Sequence, residues 1–291
     1  MTVLTQEQRI SAERKVREQL GLPMMGANLT NSVAPSTLQI EREIIGAQAF
    51  GFGEIWSRPG LDIPTRCLIT ISILTSKYQL RPLAEYVRAS IRVGITPADI
   101  LEVMLHIGTY AGITAASEAM NVAREVFTDL GITQPSVEEI APVYPMDRQD
   151  RLDAIGRIRR EVGIGHKGLS PDAPPMDYLK SGVWTAKAED LPIENDFNQV
   201  NAEYGYGECW GRRALGYRIR SLITIASLQA QALNDQLHFH LNNAINLGIS
   251  GEEIHELLGH GAVYCGGANW RNAANVARDV FLQRGIVQPR A

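Results

Sequence analysis

A shift of 154 positions lays residues 53–135 on residues 207–289 without a gap, with 31 identities among the 83 aligned positions. A chain that repeats its own pattern of apolar and polar residues in register has to fold as two copies of one unit. The identities include Gly53/Gly207, Trp56/Trp210, Arg66/Arg220, His106/His260, Tyr110/Tyr264 and the run from Leu68 to Ile71 against Leu222 to Ile225. The charged stretch 6–20 has a counterpart in 147–162 at a slightly different offset. Between the copies lie Pro142, Pro145, Pro171, Pro174 and Pro175, which interrupt helical patterns and place a boundary near residue 140. The expected units are 1–140 and 141–291.

Within each unit the dominant period is helical. From Ser250 to Cys265, the residues Ile254, Leu257, Leu258, Gly261, Ala262 and Cys265 recur at spacings of three and four, which defines one buried stripe. Ser250 and Glu253 stand at capping-box spacing, and Thr96, Pro97 and Asp99 supply the matching helix start in the first unit. Gly94 and Gly248 just ahead fit tight turns. Further helices are expected over 218–233, 235–247 and 269–281, and no useful alternating pattern predicts a strand. The fold class is all-α: a tandem duplication of a bundle of about five or six helices.

Composition narrows the function. Lys and Arg total 28 against 32 Asp and Glu, a net charge of -4 without a block of like charge, so nucleic-acid binding has no electrostatic source. The longest apolar runs fall far short of the roughly 18 residues that suggest a membrane span, and residues 1–20 carry charges where a signal peptide has its apolar core. A soluble cytoplasmic protein is expected. Cys67, Cys209 and Cys265 are odd in number and form no C-x-x-C, which argues against a disulfide framework or a zinc cluster.

Several polar residues stand in unusual positions. His240 shares a helical stripe with Leu237, Leu241 and Ala244, so it is either a core histidine satisfied by one hydrogen bond or an acid or base in a dry pocket. His238 lies roughly 160° around the same helix and reads as surface. Glu256, His260 and Tyr264 at i, i+4 and i+8 form a second stripe, repeated as Glu102, His106 and Tyr110. Such a stripe is either a solvated face with an ordinary Glu–His pair or a shared site in which the glutamate tunes the histidine. With only two plausible ligands on the face, no metal is assigned. The units also differ. Where the first has Ala115, Ala116 and Ser117, the second has Asn269, Trp270 and Arg271, which suit either a carboxylate and a planar ring or an oligomer contact. At the position of His240 the first unit has Tyr86. The second unit is the better candidate for chemistry.

The string from Arg220 to Ala226, then Leu237, His240-Leu241, Ala244, Gly248-Ile249-Ser250, Glu253-Ile254, Glu256 and Tyr264-Cys265-Gly266 resembles the carboxymuconolactone decarboxylase family, and the first unit looks like a degenerate second copy. The alkylhydroperoxidase branch of that family uses a C-x-x-C ahead of the histidine that aligns with His240, and a glutamate that would align near Ser221. Leu233 and Gln236 occupy those cysteine positions here, so thiol–peroxide chemistry is not implied.

The resemblance implies a cofactor-free lyase, because loss of carbon dioxide into a conjugated lactone or ketone carbonyl needs no organic electron sink. His240 is then the expected proton donor and Glu256 with His260 the tuning or relaying pair. Tyr264, Asn269, Trp270, Arg271 and Arg220 are the expected substrate contacts. The same equipment serves an isomerase, a dehydratase or a carbon–carbon lyase on a related ring compound, and a non-catalytic oligomeric binding protein stays open. Single-unit members of the family commonly form trimers or hexamers, which implies a homotrimer of two-unit chains.

Overall fold

The computed structural model describes residues 4–22, 50–136, 139, 147–163, 192–212 and 214–287. The expected boundary near 140 and its prolines fall outside these residues. Among the described residues the chain is helical and contains no strand, as the periodicity requires. The first half comprises α1 (Gln6–Leu20), a π-helical segment (Gly51–Trp56), α2 (Ile63–Ser76), α3 (Leu80–Arg92), α4 (Pro97–Ala111) and α5 (Ile113–Asp129). The second half repeats this order as α6 (Arg148–Val162), α7 (Pro192–Ala202), a π-helical segment (Glu203–Trp210), α8 (Tyr217–Gln231), α9 (Asn234–Asn246), α10 (Gly251–Cys265) and α11 (Gly267–Gln283).

Local chemistry sets the ends. Ser250 caps α10 by accepting from the Glu253 N–H, and the Glu253 side chain returns to the Ser250 N–H, a complete capping box. Thr96 accepts from the Asp99 N–H with Pro97 in the first turn of α4. Gly248, at φ 77°, turns the chain out of α9 as expected. No helix among the described residues is long and apolar enough to cross a membrane.

The two halves interlock. Helices α2 and α8 pack side by side, with the Ser72 hydroxyl donating to the Ile223 carbonyl (2.6 Å) and Ser76 Oγ 2.7 Å from Ser227 Oγ. Ile223 of α8 belongs to the apolar core built mainly from the first half, and Ile69 and Ile73 of α2 belong to the core of the second. Neither half closes its core from its own residues. Each end helix also lies close to its π segment. A Cβ on Gly53 would stand 2.4 Å from the Arg9 carbonyl oxygen, and one on Gly207 2.8 Å from the Arg151 Cβ, so α1 and α6 seat there only because both positions are glycine.

Candidate functional site

The Glu-His-Tyr stripe of each half is delivered into the other half. Helix α10 sends Glu256, His260 and Tyr264 against Arg58 and Arg66, Thr70 and Tyr86 of the first half, and α4 sends Glu102, His106 and Tyr110 against Arg212, Arg220, Thr224 and His240 of the second. Sequence analysis marks both stripes but does not show this exchange.

The buried arginine organises each constellation. Arg220 donates from Nε to the Leu215 carbonyl (3.1 Å), from one terminal nitrogen to the Arg212 carbonyl (2.9 Å) and Glu102 (2.6 Å), and from the other to His106 Nδ1 (3.0 Å). Arg66 repeats this with the carbonyls of Leu61 (3.1 Å) and Arg58 (2.9 Å), with Glu256 (3.1 Å) and with His260 Nδ1 (3.3 Å). A guanidinium only donates, so Nδ1 of each histidine is the acceptor and the ring proton sits on Nε2. From there it is donated to Thr224 Oγ1 (2.9 Å) or Thr70 Oγ1 (2.8 Å).

Burial, reinforced by the adjacent arginine, pushes His106 and His260 well below the ordinary histidine pKa, so both are neutral. Burial alone would raise the Glu256 carboxyl, but hydrogen bonds and charge from Arg58 and Arg66 outweigh it and hold the group below the usual range. The stripe is therefore not a solvated face. The glutamate meets the arginines, and Arg66 stands between Glu256 and His260.

The constellations part at one position. In the first half the Trp56 indole N–H donates to the Tyr264 hydroxyl (2.9 Å), which donates to the Tyr86 hydroxyl (2.8 Å). In the second half the Trp210 indole N–H donates to the Tyr110 hydroxyl (2.7 Å), and His240 occupies the position of Tyr86. His240 is 3% exposed, and its Nδ1 has no hydrogen-bond partner among the described residues. Three rings enclose it: Trp210 stacked at 6.0 Å, with Tyr110 at 5.4 Å and Phe239 at 5.2 Å edge-on. Burial lowers its pKa to about 3. Of the two readings of this histidine, the satisfied core residue does not fit.

Clefts flank both constellations. One of about 590 Å³ is lined by Lys15, Trp56, Arg58, Leu61, Asp62 and Ile63 among others, and one of about 410 Å³ by Arg157, Glu161, Arg212, Leu215, Gly216 and Tyr217.

The expected site residues are thus divided. His240 and Arg220 lie in one constellation, and Glu256, His260 and Tyr264 in the other. Arg220, expected to touch substrate, is fully buried, with its guanidinium bonded to the Leu215 and Arg212 carbonyls, Glu102 and His106. Asn269 and Trp270 are half-buried and Arg271 exposed, the guanidinium lying 4.8 Å over the Trp270 ring. They line neither of these clefts and make no hydrogen bond to either constellation. His238 is half-buried, with Nε2 3.2 Å from the Gln283 side-chain oxygen. Trp210, Tyr110, Arg212 and Glu102 surround the His240 site without having been singled out for it, although the repeat places each opposite a twin.

Burial raises the thiol of Cys67 to about 12 and that of Cys265 to about 11, and it raises Cys209 as well, so these thiols are protonated at neutral pH. Among the described residues no group of three or more His, Cys, Asp and Glu converges to hold a metal ion.

The chain is a duplicated all-α bundle whose halves trade Glu-His-Tyr stripes around buried arginines, and sequence comparison gives it a family. The chain matches the carboxymuconolactone decarboxylase family over residues 46–125 and 195–279, more than half its length, and belongs to that family. A 4-carboxymuconolactone decarboxylase of Acinetobacter baylyi is 42% identical over 90 residues, 31% of this chain and 67% of that protein. A nitrosuccinic acid decarboxylase of Metarhizium robertsii is 32% identical over 81 residues, 28% of this chain and 57% of that protein. An uncharacterized 15.0 kDa protein of Paracoccus denitrificans is 31% identical over 80 residues, 27% of this chain and 60% of its own length.

Proposed function

We propose that the chain is a cofactor-free decarboxylase acting on a small cyclic or conjugated carboxylate, in the cytoplasm, through the His240 constellation. The observation that carries this reading is the single departure between the twin networks: a buried imidazole with an orphaned Nδ1 where the other half has a satisfied tyrosine. Two relatives bearing the names of decarboxylases support the reaction class.

Chemically, the carbonyl conjugated to the departing carboxylate takes the electron pair as carbon dioxide leaves, and a proton must then return to carbon. Burial holds His240 neutral, because it penalises the charged ring. A substrate carboxylate brought against the ring reverses that balance, because a neighbouring anion favours the protonated form. The face of Trp210, on which the ring is stacked, further suits a cation. The imidazolium formed on binding is the proton donor, and the carboxylate loses its water to the aromatic walls. Glu102, Arg220 and His106 hold the tyrosine and tryptophan in place. In this reading the chain divides into 1–140 and 141–291, with the constellation around Tyr86 sealed and that around His240 working. Three chains are proposed to form a trimer, for which α7 offers the exposed stripe Ile193, Phe197 and Val200, and α11 the Trp270–Arg271 pair.

Carbon dioxide release from 4-carboxymuconolactone tests the proposal. His240→Ala should lower the turnover by roughly two to four orders of magnitude, the usual weight of a general acid, while Tyr86→Phe changes it little. Equal losses from both substitutions would show that the working half has been misassigned.

A further inference from the structure

The twin networks hold the same hydrogen-bonding groups except at positions 86 and 240. Tyr264 has Trp56, Thr70 and the Tyr86 hydroxyl as hydrogen-bonding neighbours, whereas Tyr110 has Trp210 and Thr224 alone. The first half therefore places one more oxygen beside its tyrosine hydroxyl than the second half does. Tyr86 brings that oxygen on its own ring, at 2.8 Å from Tyr264. The shorter imidazole at 240 leaves the place without an oxygen, and its own buried Nδ1 without a partner. A buried imidazole nitrogen without a partner bears the cost of desolvation, and an oxygen-bearing ligand beside the Tyr110 hydroxyl relieves it.

We infer that Tyr86 is an internal stand-in for ligand, and that the place of its hydroxyl in the second half is the seat of a substrate oxygen, held by the Tyr110 hydroxyl from the other repeat. The inference rests on the His240 reading and extends it. Tyr110 lies in the half whose own site is sealed, yet it donates to the carbonyl or enolate oxygen of a ligand bound at His240. The working site is thus composite, and one residue at position 86 or 240 decides whether a half is open or self-occupied. The frame around each position is already matched to either side chain, since Trp56 stacks on Tyr86 at 5.9 Å as Trp210 stacks on His240 at 6.0 Å.

Calorimetric titration with a saturated lactone acid, 5-oxotetrahydrofuran-2-carboxylate, counts open sites without requiring turnover. The wild-type chain should bind one molecule, His240→Tyr none, and Tyr86→His two. In the double exchange of His240→Tyr with Tyr86→His the count returns to one. Tyr110→Phe should weaken binding about twofold to tenfold, the range for a hydrogen bond to a neutral oxygen. Helical circular dichroism and melting confirm that each variant is folded, and a folded Tyr86→His that still binds one molecule overturns the inference. So does a folded His240→Tyr that binds as the wild type does, or a wild type that binds none. Unchanged turnover in Tyr110→Phe removes Tyr110 and leaves the decarboxylase reading standing. The full binding pattern without carbon dioxide release keeps the seat and removes the decarboxylase reading.

Discussion

Three histidines, His106, His240 and His260, are buried and neutral, and each gains a proton when the chain unfolds. Their pKa values are lowered in the folded state, so the unfolded state binds more protons once the pH drops below the unperturbed histidine value of roughly 6.5. Their contribution is intact above that value and is lost progressively as the pH falls toward the folded values, about 3 for His240. The carboxyl of Glu256, also lowered, adds its loss only further into acid. Melting temperature should therefore decline already between about pH 6.5 and 5, before most carboxylates titrate, with an uptake of about three protons on unfolding near pH 5.5. A melting temperature flat across that window would mean that these rings are charged or exposed in the folded protein.

At the level of elements, the two π-helical segments set the tryptophans. Each segment ends on its indole, Trp56 or Trp210, and lies against an end helix through a glycine with no room for a methyl group. Packing this tight transmits strain instead of absorbing it. Gly207→Ala should push α6 from the segment, cost about 1–3 kcal/mol in urea unfolding and slow turnover through displacement of Trp210. A change below about 0.5 kcal/mol, the ordinary range for surface substitutions, would show that α6 is free to shift. The caps around these elements were legible in advance. Ser250 with Glu253, and Thr96 with Pro97 and Asp99, act within one turn, where only local sequence matters.

For the whole molecule, the exchange of stripes between halves means that one chain already satisfies the pairing a single unit would have to find in a second copy. In the proposed trimer, the exposed apolar stripe on α7 serves contact between chains, and three chains of two units close a six-unit ring. Sedimentation equilibrium should give about three times the chain mass of 32.0 kDa. The mass should fall to that of one chain when Phe197 is replaced by Glu, since a buried unpaired carboxylate is costly in a subunit contact. A wild-type mass near one chain at micromolar concentration would dismiss the trimer.

The duplication, the all-helical class, the helix ends and the inward direction of His240 follow from the sequence itself, because each depends on spacing along a single chain segment of known period. Tertiary structure alone decided the partners. Helical periodicity states on which side of its own helix a residue lies, and says nothing of which helix arrives there. In a duplicated chain the ambiguity is built in, since Arg66 and Arg220 offer the His260 ring the same chemistry. The packing of α2 against α8 resolves it by carrying each stripe across to the opposite arginine. His240 consequently faces Tyr110 rather than Tyr264, a neighbour 130 residues away in sequence.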